Sequence, residues 1–184
     1  MSHRHPTIFS KMNRTFSAIL IWIPVLLLAQ ALVFNHICLF GYAMPFVFIY
    51  ALLRLPLSMS KEWLFTTAFI TGLVLDIFSD TLGLNALCCT VLMALRRPII
   101  RLYIPRDEEL SEKLPGIKSF GIATFLKFLL TSTLVYSALV FSIETLDNFH
   151  FWNLCGKVIA STLLTDAIIL GLDSLTISKR EKRL

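Results

Sequence analysis

The chain has 184 residues, 56% hydrophobic and 16% charged, with net charge +5 and mean hydropathy +0.74. A soluble domain of this length has too little interior for so many apolar side chains. Continuous apolar runs that do not alternate argue against a transmembrane barrel, and basic residues without interleaved aromatics argue against a nucleic-acid face.

A spanning helix needs about 20 residues, so six would occupy roughly two-thirds of the chain and leave no room for a separate soluble domain. The expected fold is all-α: a single integral membrane domain over 1–184, a polytopic helical bundle. Its six transmembrane helices are expected at roughly 16–35, 37–56, 63–80, 82–97, 120–143 and 151–173.

The N-terminal stretch resembles a signal peptide, with basic residues, an apolar run and then Ala29-Gln30-Ala31. The apolar run continues past those alanines to Phe34, which favours a retained first helix. Pro24 and Pro45 stand near the middle of the first two helices and are expected to bend them, as a static kink in preference to a hinge. Gln30 is expected to donate across helices as a packing contact. Helix three starts near the interfacial Trp63 and spans only if Asp76 lies inside it, near the outer end. Helix four has 14 uncharged residues, Leu82–Leu95, and is short for a full span. After Pro98, Ile99–Ile104 either continues that helix or lies along the inner surface. Residues 105–119 form the longest polar segment, either a partner surface or a solvated loop.

Charge position sets the expected topology. Arg4, Lys11 and Arg14 precede helix one; Arg54 and Lys61 flank the second connection. Arg96, Arg97, Arg101, Arg106, Lys113 and Lys118 mark the fourth, and Lys179, Arg180, Lys182 and Arg183 form the tail. The connections near His36, near Thr81 and at 144–150 have no Lys or Arg. Every second loop is basic, so both termini are expected in the cytoplasm.

Ionisable groups inside a bilayer are costly and mark pairs or wet paths. Lys127 and Asp166 each lie seven residues from the inner end of their helices, about 10 Å deep, and are expected to pair. Lys157 and Asp76 lie near the outer end and are a second candidate pair. The functional reading is a proton or ligand path; a helix-orienting pair or a snorkelling lysine is favoured over it. Asp76 and Asp80 share one helix face, whereas a protease dyad draws its carboxylates from converging segments. Cys38, Cys88, Cys89 and Cys155 contain no Cys-x-x-Cys pair and read as small packing residues. His3, His5, His36 and His150 do not suggest a metal site. No nucleophile elbow, P-loop or His-Glu-x-x-His is present, so no catalytic residue, cofactor or metal is expected.

The residues Gly72, Asp76, Ser79, Leu82, Gly83 and Ala86 carry a resemblance. With the small size, six apolar stretches, and the Arg97-Pro98 and Pro105-Arg106-Asp107 motifs, the chain resembles the MreD family of bacterial rod shape-determining membrane proteins. Asp80 departs from the pattern and receives no role from it. The resemblance implies a non-enzymatic scaffold of the cell-elongation complex in the inner membrane. Its expected partner is a bitopic MreC-like protein, with indirect links to MreB, RodA and a transpeptidase and so to peptidoglycan synthesis and cell shape. It also implies a bundle similar in fold to the substrate-binding subunits of energy-coupling-factor transporters. The alternative function is therefore a vitamin-type small-molecule binding subunit of a membrane transporter. Asp76, Ser79, Gly83, Lys127, Lys157 and Asp166 are the candidate partner-binding or structural residues. Asp76 is expected to offer a partner its charge, or else to cap helix four or pair internally with Lys157, and Gly83 to permit a partner's close backbone approach.

Overall fold

The computed structural model describes residues 23–32, 43–104, 115, 120–145 and 151–181, with side chains to 174. Six helices appear among them and no strand: α1 Ile23–Leu32, α2 Ile49–Leu53, α3 Lys61–Ser79, α4 Leu84–Tyr103, α5 Ile122–Glu144 and α6 Phe151–Glu181. The Lys61–Ser79 and Ile122–Glu144 helices and the Phe151–Ser174 part of α6 are long and apolar enough to cross a membrane. Their outward faces keep large apolar side chains exposed: Phe69, Ile70, Leu73 and Ile77 on α3, and Leu126, Leu130 and Leu134 at four-residue spacing on α5. Such stripes are foreign to a surface made for water.

Helices α3, α5 and α6 lie close to their expected bounds. Helix α4 runs past the expected end at 97: Pro98 stands inside it and Ile99–Tyr103 continues the helix, with Ile104 as its extended C-cap. Helix α6 extends beyond 173. The expected ends of helix one, and residues 37–42, His36, 105–114 and 146–150, lie outside the described residues.

The second expected helix is the main correction. Residues 44–46 are not helical, Val47 and Phe48 form a turn, and only Ile49–Leu53 is helix. Pro45 has no N–H and disfavours helical geometry in the residue before it. Open backbone at this depth survives only when protein groups satisfy it, and here they do. The Met44 N–H donates to Ser161 Oγ (3.0 Å), the Phe46 N–H to Thr165 Oγ1 (3.0 Å) and the Val47 N–H to Gln30 Oε1 (3.0 Å). Gln30 Nε2 donates to the Pro45 carbonyl at 2.8 Å, the cross-segment role expected of it. Every residue of α2 is buried. The segment is therefore an internal strut clasped by α1 and α6.

At the far end of α2, arginines close the structure. Buried Arg96 donates through Nη2 to the carbonyls of Leu53 (3.1 Å) and Leu55, and Arg97 Nη2 to that of Met59 (3.1 Å). Arg54 pairs with Asp173 at 3.1 Å, and the Tyr50 hydroxyl donates to the same carboxylate oxygen at 2.6 Å. Arg54 and Arg96, expected as loop charges, thus act inside the bundle. Orphan carbonyls at a helix end need donors, and cations suit that end.

Candidate functional site

Helices α3 and α4 form an antiparallel hairpin joined at residues 80–83. Its geometry follows from three residues. Gly72 lets the helices touch: a β-carbon there would stand 2.4 Å from the Ala86 Cα and 2.5 Å from the Asn85 carbonyl oxygen. Asp80 ends α3 in the left-handed conformation (φ 54°), which aspartate tolerates better than most residues. Gly83, also left-handed (φ 79°), starts α4. A β-carbon at Gly83 would meet nothing within 4 Å. Close helix–helix approach within the hairpin occurs at Gly72, whereas Gly83 serves backbone conformation and leaves open space around it.

Asp76 is 4% exposed and its carboxylate is fully engaged. Oδ1 accepts from the Thr81 hydroxyl (2.5 Å), the Asn85 N–H (2.9 Å) and Asn85 Nδ2 (3.0 Å); Oδ2 accepts from the Ala86 N–H (2.9 Å). The first N–H groups of a helix lack internal partners and carry partial positive charge. Asp76 supplies both the acceptors and the negative charge from across the turn. The alternative expectation, that Asp76 caps helix four, is the one this geometry matches; its pairing with Lys157 is overturned. The ammonium of Lys157 lies 6.0 Å from the Phe141 ring centroid, a cation–π distance.

The network continues inward. Tyr136 on α5, with no exposed surface, donates its hydroxyl to Asn85 Oδ1 at 2.7 Å. Its ring meets Phe46 and Phe48 edge-on at 5.1 and 5.6 Å. Asp76, Asn85, Tyr136 and Phe46 therefore connect the turn to the unwound segment. Asn85 and Tyr136 were not singled out in the sequence. The spacing Asp76–Asn85 crosses a turn, so no single-helix periodicity brings the two together.

Lys127 and Asp166 do not pair. Lys127 is exposed on α5, whereas Asp166 is buried and accepts from the Thr133 hydroxyl at 2.8 Å. Similar depth did not mean facing sides. Ser79 is the last residue of α3. On the turn itself Leu82 is fully exposed, and Asp80 is exposed beside it. Cys88 and Cys89 are buried and unbridged in α4, fitting the small-packing reading.

The fold and this site define an all-helical protein with, among the described residues, three helices long and apolar enough to cross a membrane, organised around a carboxylate-capped hairpin. No family model, curated protein or solved structure matches the chain.

Proposed function

We propose that this protein is a non-catalytic, multi-pass scaffold of the bacterial cell-elongation complex, held in the inner membrane with both termini in the cytoplasm. On this reading it engages an MreC-like bitopic partner through the turn at residues 80–83, and through that partner connects to MreB, RodA and a transpeptidase. The observation that carries the reading is the Asp76 cap. A buried carboxylate with four donors fixes a turn whose outermost residue, Leu82, is apolar and wholly exposed. Preorganised apolar residues are what a partner buries at low entropic cost. The turn lies at the opposite end of α3 and α4 from Lys61, Arg97 and Arg101. The positive-inside rule puts that basic end in the cytoplasm and the turn outside, within reach of a bitopic partner. The likeness to the MreD family at Gly72, Asp76, Ser79, Leu82, Gly83 and Ala86 supports the same reading.

The test is Leu82→Asp in cells that depend on this protein. The variant is expected at normal membrane level, because Leu82 packs on nothing in the bundle. Recovery of the MreC-like partner on affinity purification is expected to fall, and rod-shaped cells to round up. Full partner recovery with normal shape rules the reading out.

A further inference from the structure

We propose that the groove between the start of α3 and the end of α4 binds the headgroup of an anionic phospholipid. This site is separate from the partner-binding turn, and it rests only on the chain spanning a membrane.

The hairpin register builds the groove. Gly72 lies against Ala86; eleven residues before Gly72 stands Lys61, and eleven after Ala86 stands Arg97. At 1.5 Å per residue the two share a level about 16 Å below the Gly72 contact, and Arg101 follows one turn further. Between them opens a groove of about 670 Å³ lined by these three cations and by Leu64, Phe65 and Leu102. Arg97 is held in place by its bond to the Met59 carbonyl, and a guanidinium has further N–H donors to offer. Lys61 and Arg101 are exposed. Among the described residues Glu62 is the acidic group in this neighbourhood, and Lys61 and Arg97 act on its carboxylate. Among the described residues, three cations against one carboxylate leave the groove positive.

Depth and wall chemistry select the ligand. Lys61 is the first residue of a helix long enough to cross a membrane, so the cations fall at the headgroup layer. Arginine matches a phosphate with paired N–H groups. Basic pockets between helices on the cytoplasmic side bind acidic headgroups. A free anion has no use for the apolar walls; a lipid does, because its chains can follow Phe65 and the strongly exposed Leu102 outward.

Native mass spectrometry of the full-length protein, released from detergent, tests this. Dioleoylphosphatidylglycerol and dioleoylphosphatidylcholine are added at matched concentration, with inorganic phosphate as competitor. Retention of the phosphatidylglycerol is expected to exceed that of the choline lipid by on the order of tenfold. Lys61→Gln with Arg101→Gln should lower it by about the same factor. These two residues are chosen because Arg97 also anchors the chain at Met59. Ala94→Phe, which narrows the groove from an exposed position without changing charge, should lower it too, whereas Lys127→Gln should not. Equal retention of both lipids overturns the proposal, as does retention unchanged in both groove variants, or lost equally in Lys127→Gln. Displacement by millimolar phosphate would make it a free-anion site. Failure to retain either lipid would leave the groove to an acidic protein segment.

Discussion

Gly72 and Ala86 meet backbone to backbone, and no side chain at position 72 fits between them. A β-carbon would sit 2.4 Å from the Ala86 Cα, and neither helix backbone can yield as a flexible side chain would. Gly72→Ala is expected to lower stability by about 3 kcal/mol, at the upper end of overpacking costs. Gly83→Ala meets open space but a left-handed backbone, and is expected to cost about 1 kcal/mol. Thermal unfolding in detergent ranks the two. A Gly72→Ala protein that melts like the parent would refute the close contact.

The Asp76 cap predicts loss of the protein itself when it is removed. Asp76→Ala leaves the Asn85 and Ala86 N–H groups buried without acceptors. The cost is expected at roughly 2 kcal/mol or more, read as a lower melting point and a lower membrane level. Asp76→Asn keeps one carboxamide oxygen and should fall between. Normal stability of Asp76→Ala would show that the cap contributes little.

For the clasp around residues 44–47, Thr165→Val removes the acceptor of the Phe46 N–H, whereas Gln30→Leu strips both the Val47 N–H and the Pro45 carbonyl. Gln30→Leu should therefore be the more damaging, at about 1–3 kcal/mol for each buried group left unpaired. Amide exchange at Phe46 and Val47 should quicken in the matching variant. Exchange that stays slow in both would place the protection elsewhere.

Two charge pairs give opposite expectations in double-mutant cycles. Lys127→Ala with Asp166→Asn should be additive within about 0.5 kcal/mol, because the residues share no partner. Arg54→Met alone removes the 3.1 Å ion pair from the buried Asp173 carboxylate and should cost on the order of 3 kcal/mol. Adding Asp173→Asn should recover part of that. Coupling at Lys127–Asp166, or strict additivity at Arg54–Asp173, would reverse these assignments.

Much of the helical plan was legible in the sequence because apolar runs bounded by charge and turn residues are local signals. Helices α3, α5 and α6 follow from them. The turn after Asp76 was also visible, since Ser79-Asp80-Thr81-Leu82-Gly83 interrupts the run. That Asp76 caps helix four was one of the readings the sequence offered; the individual donors were not visible, because they become its neighbours only when the hairpin closes. The unwound segment was read as helix because Ala43–Leu53 is apolar throughout apart from Tyr50. Pro45 marked a bend, but the donors and acceptors that make an opening affordable come from Gln30, Ser161 and Thr165, far away in the chain. The expected Lys127–Asp166 pair failed for a related reason: depth is a one-dimensional quantity, and pairing also needs the rotation of each helix.

The clasped segment constrains the order in which the molecule can be completed. Met44 and Phe46 find their acceptors on α6, synthesised more than a hundred residues later, and the carbonyls of Leu53 and Leu55 wait for Arg96 on α4. Until both arrive, an early part of the chain carries open peptide groups that hydrocarbon cannot satisfy. A chain truncated after α5 would keep α1 and lose the acceptors of Met44 and Phe46. Completion thus runs against the direction of synthesis: a later helix finishes an earlier segment.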